Sequence, residues 1–158
     1  MMLERPHFGE RLTATLSTNG PLCLGIDPHA ELLSIWGLDD SADGTREFGL
    51  RAVDAAAGTV GIVKPQVAFF ERHGSAGIAA LELVIARARE AGLLVIADAK
   101  RGDIGSTMAG YAHAWLSVGS SLEADALTVV AYQGSGSLTP AIALAEAAGK
   151  GLFVLAAT

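Results

Sequence analysis

The sequence predicts an α/β domain on a parallel sheet, in the form of a (β/α)8 barrel of which about the first five βα units are present. Three observations carry this. Short apolar runs rich in β-branched residues alternate strictly with longer helical stretches, a pattern of parallel strands joined by helical crossovers, either doubly wound or closed as a barrel. Polar residues recur at the C-terminal ends of successive runs, Asp27 after the first, Lys64 at the second, Asp98 and Lys100 at the third, and barrel enzymes build their sites on that rim. Successive strand starts lie about 26 to 37 residues apart, so eight units would need about 250 residues, the usual barrel length.

A helix over about 8–17 precedes the first strand, 22–26. The next strands are expected at 59–63, 93–97, 126–130 and 152–156. Between them, 44–57, 75–91, 104–116 and 137–148 have the Ala, Leu, Glu and Arg content and spacing of amphipathic helices, and Gly20, Gly58, Gly92 and Gly149 fall near helix ends. The whole reads as one domain, 1–158. Gly134-Ser135-Gly136-Ser137 could cradle a phosphate at a helix start, but no G-x-G-x-x-G or P-loop accompanies it, and a plain βα loop is the simpler reading.

The composition, 51% hydrophobic and 18% charged, is that of a folded domain with an ample core. A net charge of -6 argues against a nucleic-acid or anionic membrane surface, both of which need clustered Lys and Arg. The single Cys23 lies in an apolar run, so no disulfide framework or cysteine metal cluster is expected, which suits a reducing compartment such as the cytoplasm. The N-terminal stretch with Glu4, Arg5, Glu10 and Arg11 has no apolar core of signal-peptide length, and no later segment approaches the roughly 18 apolar residues of a membrane span. His29, His73 and His113 share no metal-ligand spacing, and no metal site is expected. Trp36, Trp115, Tyr111, Phe69 and Phe70 read as core packing.

The most informative stretch is Asp98-Ala99-Lys100-Arg101-Gly102-Asp103. The apolar run before it suggests that charges begin where the strand stops, and period-two alternation sends Asp98 and Lys100 to one face. A salt bridge at a strand end would account for that pair alone. Lys64, at an equivalent rim position, favours convergence into one cluster of Lys64, Asp98, Lys100 and Asp103, whose opposite charges offset one another's desolvation. Asp103 is also well placed as the N-cap of the helix that follows, with Thr107 in its first turn. Asp27-Pro28-His29 could equally be a turn held by an Asx-type hydrogen bond.

Three segments carry a family resemblance: Leu24-Gly25-Ile26-Asp27-Pro28-His29, Val63-Lys64-Pro65-Gln66-Val67-Ala68-Phe69-Phe70-Glu71, and Ala97-Asp98-Ala99-Lys100-Arg101-Gly102-Asp103-Ile104-Gly105-Ser106-Thr107. Together they resemble orotidine 5'-phosphate decarboxylase of the bacterial type with the D-A-K-R-G-D-I-G motif. The resemblance implies a (β/α)8 barrel homodimer that converts orotidine 5'-monophosphate to UMP and carbon dioxide in pyrimidine biosynthesis, without metal or organic cofactor. By the motif, Lys64, Asp98, Lys100 and Asp103 match the family's alternating network, and Lys100 would donate a proton to C6. Asp27 and Lys64 would contact the ribose hydroxyls, while Asp103 and Thr107, with Ile104 beside them, would reach the partner subunit's site.

The family's usual pattern has proline where Ala131 stands, and its phosphate-gripping glutamine and arginine come from later strands. The chain therefore reads as C-terminally incomplete, with two unpaired sheet edges, weak folding and negligible turnover expected of it alone. A related barrel sugar-phosphate lyase or epimerase using magnesium, which shares a D-x-K-x-x-D motif, and an inactive binding or dimerisation fragment are the alternatives.

Overall fold

Five short strands form one parallel sheet in the order of the chain: β1 (Cys23–Ile26), β2 (Ile62–Pro65), β3 (Leu94–Arg101), β4 (Ala126–Val130) and β5 (Gly151–Leu155). The computed structural model describes residues 6–157. Glu4 and Arg5 of the N-terminal stretch, and Thr158, lie outside the described residues. Strand order settles the choice that alternation left open, because a doubly wound sheet reverses direction at a switch point, whereas β1 to β5 advance without reversal as barrel strands do.

Helix α1 (Phe8–Asn19) precedes β1. α2 (Ala30–Ile35) and α3 (Ala42–Ala56) link β1 to β2, and α4 (Ala68–Glu71) and α5 (Gly74–Glu90) link β2 to β3. Then come α6 (Gly105–Leu116), and a 3-10 turn at Ser135–Leu138 running into α7 (Thr139–Ala148). The long helices and all five strands stand near their expected places. Two short helices, α2 and α4, were not expected, and β2 begins three residues later than its β-branched run suggested, because Thr59 belongs to the turn that ends α3. Gly134 leads into that 3-10 turn, and the Ser137 hydroxyl donates back to Gly134 O at 2.7 Å.

Strand side chains divide by parity. Ile26, Val63, Val95, Ala97, Leu127 and Val129 pack with the buried helix faces, such as Phe48, Leu81, Val84, Ile85 and Trp115, in the main core. The other face carries Ile62, Leu94, Ile96 and Ala126, covered by Phe8 of α1, whose ring meets Phe153 edge-on at 5.9 Å. An apolar layer thus closes the base of this inner face, leaving polar side chains above it. Trp115 and Phe70 are core residues as expected; Trp36 instead lies at the surface, 42% exposed and tilted against Phe48 at 4.6 Å.

The strand bases hold a second charge group that sequence reasoning did not find. Lys150 Nζ donates to Glu123 Oε1 at 2.7 Å, both side chains being buried, and Arg89 pairs with Glu123 Oε2 at 3.0 Å. Arg11 of α1 pairs with Asp125 at 2.5 Å, and the other Asp125 oxygen accepts from Val95 N–H at 3.0 Å. Burial alone would push the Glu123 carboxyl up; hydrogen bonds from Lys150 and Gly119 N–H, with the charges of Lys150 and Arg89, bring it below its ordinary value. These contacts tie α1, α5 and β5 to the base of β4, where a barrel keeps stability rather than chemistry.

Candidate active site

The site grows from the inner-face parity. Ile62 faces inward, so Lys64 and Gln66 follow on the same side; Leu94 and Ile96 bring Asp98 there, and Ala126 brings Thr128. Gln66 and Asp98 face each other across a parallel bridge, Gln66 N–H donates to Ile26 O at 3.0 Å, and Val67 N–H donates to Asp98 O at 3.2 Å. The main chain therefore holds the tops of β1, β2 and β3 in register where the polar groups begin.

Asp98 is the hub. Its Oδ2 accepts from Lys64 Nζ at 2.9 Å and Gln66 Nε2 at 3.0 Å, and its Oδ1 accepts from Lys100 Nζ at 2.6 Å and Thr128 Oγ1 at 2.9 Å. Four donors on a buried carboxylate satisfy both oxygens. Burial is the largest single influence on this carboxyl and would raise it, but the hydrogen bonds from Lys100, Lys64 and Thr128 together with the Lys64 charge outweigh burial and lower it to about 2. Asp98 is thus an anion at any physiological pH, fixed between two ammonium groups.

Lys100 is presented by an unusual backbone. β3 does not stop at Ala97 as its apolar run suggested but continues to Arg101, with a register shift against β4 between Ala97 and Arg101. Within this irregularity Lys100 has φ of 51°, the only non-glycine in the left-handed region among the described residues. Such a conformation costs on the order of 1–3 kcal/mol and persists where neighbours over-determine it. Here Thr128 Oγ1 accepts from Lys100 N–H at 2.9 Å while donating to Asp98 Oδ1, so one buried hydroxyl holds both the bend and the carboxylate. The meeting of Asp98 and Lys100 expected from simple alternation is achieved by a bulge.

Two glycines make room. A Cβ on Gly25 would lie 2.6 Å from Asp27 Oδ2, so the glycine lets the Asp27 carboxylate fold back over the end of β1. A Cβ on Gly102 would lie 2.4 Å from Val130 O, so the chain leaving β3 can cross the top of β4 only with glycine there. Arg101 bonds the Glu71 carboxylate and lies over the Tyr111 ring at 5.5 Å, anchoring the motif to α4 and α6.

The structure brings together Lys64, Asp98 and Lys100 and does not bring in Asp103. Among the described residues Asp103 makes no ion pair; its Oδ1 accepts from Ile104 N–H at 2.8 Å. Nor is it the helix N-cap: α6 starts at Gly105, Ile104 holds the cap position, and no side chain caps it. The reason is geometric, since the loop through Gly102 carries Asp103 past the top of β4. Ile104, 62% exposed, and exposed Thr107 stand on the same segment. Sequence reasoning missed Gln66 and Thr128 as site members. A signal existed for both: Gln66 is two residues beyond Lys64, and Thr128 is a lone hydroxyl in an apolar strand.

With this geometry established, comparison with known proteins is decisive. Residues 20–158 match the family model described as orotidine 5'-phosphate decarboxylase / HUMPS family. The chain belongs to that family. It is 60% identical over 151 residues to the orotidine 5'-phosphate decarboxylase of Corynebacterium glutamicum strain R, covering 96% of this chain and 54% of the relative, and 56% identical to that of Streptomyces coelicolor with the same coverage. Its fold matches a Streptomyces avermitilis crystal structure assigned to the same enzyme, with TM-score 0.95 and 55% identity over 98% of this chain and 54% of the other. Leishmania donovani OMP decarboxylase matches with TM-score 0.78 and 34% identity, over 96% of this chain and 54% of the other. The chain thus spans about half the length of the curated relatives it matches, and its five-stranded parallel sheet corresponds to consecutive βα units of the family's barrel. These relatives are orotidine 5'-phosphate decarboxylases, and neither the sugar-phosphate lyase nor the binding-only alternative gains support from them. No helix among the described residues is long and apolar enough to cross a membrane.

Proposed function

We propose that this chain carries the decarboxylating part of an orotidine 5'-monophosphate decarboxylase site, forming UMP and carbon dioxide for pyrimidine biosynthesis. The observation that carries the reading is the buried Asp98 carboxylate clasped by Lys64 and Lys100 at 2.9 and 2.6 Å on the rim of a family barrel.

The chemistry accounts for those residue types. The bond from C6 to its carboxyl carbon breaks, its electron pair stays on C6, and carbon dioxide leaves. Lys100 stabilises the developing charge and then transfers a proton from Nζ to C6, ending as a neutral amine. At about 4 Å and an effective dielectric near 20, one unit-charge interaction is on the order of 4 kcal/mol, roughly a thousandfold in rate if realised only in the transition state. One lysine therefore supplies a part of the acceleration, and the remainder comes from binding and orientation.

Asp98 holds Lys100 in place and stands near the departing carboxylate. Asp27 and Lys64 contact the ribose hydroxyls. Asp103, Ile104 and Thr107, which stand outside the Asp98 cluster's ion pairs, serve the site of a second subunit in a homodimer. On this reading the reaction uses no cofactor and takes place in the cytoplasm.

The test joins this chain to the C-terminal region of the Streptomyces avermitilis relative and follows the ultraviolet change as orotidine 5'-monophosphate loses its carboxyl group. The hybrid turns over, and Lys100→Ala abolishes turnover while UMP still binds. Near-normal turnover by Lys100→Ala would overturn the assignment.

A further inference from the structure

We propose that Gln66 is a positioning residue that aims the Lys100 ammonium; the proposal rests on the decarboxylase reading of the site. An ammonium has three N–H bonds. Lys100 Nζ directs one to Asp98 Oδ1 at 2.6 Å and a second to Gln66 Oε1 at 3.3 Å, which leaves the third for the substrate carbon. A single bond to Asp98 would leave Nζ free to swing about that contact on a side chain that is 43% exposed. The second anchor removes the swing and fixes the direction in which the remaining proton points.

The residue type is dictated by its neighbours. Asp98 Oδ2 is an acceptor only, so the group beside it must donate; Lys100 Nζ is a donor only, so the group beside it must accept. A primary amide meets both demands from one planar group, and Gln66 does so with Nε2 on Asp98 Oδ2 at 3.0 Å and Oε1 toward Lys100. Those partners also fix which amide atom is which. The main chain of Gln66 is itself held, by its N–H on Ile26 O at 3.0 Å and by the parallel bridge to Asp98. Gln66 therefore stands on the strand framework, where positioning groups are most exact. Thr128 fixes the other end of the same side chain, at the Lys100 main chain.

The variants are Gln66→Met, which keeps length and removes both polar atoms, and Gln66→Ala, which removes the side chain beyond Cβ and with it both hydrogen bonds. In the hybrid enzyme both variants lower kcat by about 10- to 100-fold with KM for orotidine 5'-monophosphate within about threefold. In the same hybrid, NMR order of the Lys100 ammonium falls in both variants. A Met variant with kcat within about threefold of the parent, a rise in KM with kcat unchanged, or an equally ordered ammonium overturns the proposal. Should the Met variant unfold, the Ala variant decides by the same readouts. A parent hybrid that fails to decarboxylate refutes the decarboxylase reading, while ammonium order with and without Gln66 still decides whether Gln66 positions Lys100.

Discussion

Replacing Asp98 by Asn removes the one anion between two cations while preserving shape. Asp98 Oδ1 lies 2.6 Å from Lys100 Nζ and Oδ2 lies 2.9 Å from Lys64 Nζ. With charge centres about 4 Å apart and an effective dielectric near 20, each attraction is on the order of 4 kcal/mol. Both lysines are open to solvent, 33% and 43% exposed, which reduces the realised loss to about 2 kcal/mol for each. The two ammonium groups, no longer separated by an anion, then repel, and an Asn amide oxygen can accept from only one of them while its nitrogen opposes the other donor to donor. Lys100 leaves its aim. A displacement costing about 2 to 4 kcal/mol in the transition state corresponds to roughly a 30- to 1000-fold fall in kcat. The Asp27 ribose contact and phosphate contacts made elsewhere keep KM within about fivefold. Steady-state decarboxylation by the hybrid barrel, read in the ultraviolet, measures both constants. An Asp98→Asn enzyme with kcat within about threefold of the parent, or with its whole loss in KM, would refute the assignment of Asp98 as the group that holds Lys100.

The same carboxylate makes stability depend on acid. Its folded pKa of about 2 lies below the ordinary 3.8, so the stabilisation is present above about pH 3.8 and is lost as pH falls through about 2; discounted for the solvent-open lysines it is about 1 to 2 kcal/mol. Urea unfolding at about pH 5 and about pH 2.5 measures it, Glu123 contributing in the same direction, and Asp98→Asn should flatten part of the slope; an unchanged slope contradicts the clasp. At the base, Lys150→Met breaks a buried pair with Glu123 at 2.7 Å, and because Arg89 and Gly119 N–H still bond Glu123, the expected cost is about 2 to 4 kcal/mol, below the loss for an unsupported pair. Chemical unfolding showing a loss under about 1 kcal/mol would mean that the pair adds nothing to the fold.

Much of the site was legible because its charges sit at the ends of apolar strands, where a carboxylate and a lysine two residues apart must be accounted for. Asp98, Lys100 and Lys64 emerged in that way, and the structure joins all three. Thr128 was hidden because threonine is an ordinary strand residue, and only its place opposite Asp98 gives its hydroxyl two partners. Gln66 was hidden by its neutrality. The cap reading of Asp103 failed for the opposite reason: an Asp near a helix start suggests a cap, yet α6 begins at Gly105 and Ile104 holds the cap position.

By itself, then, the sequence determined the alternation of strands and helices, the family, and the charged residue types on the rim, because period and composition act over a few residues. Only the tertiary structure decided that the strands follow one another as barrel staves, that Asp98 collects four donors from residues up to 34 positions away, and that Lys100 adopts φ of 51°. Those outcomes depend on register between strands and on a hydroxyl reaching across from β4. Contacts of that kind have no local period in the chain, and so they appear only when the strands are side by side.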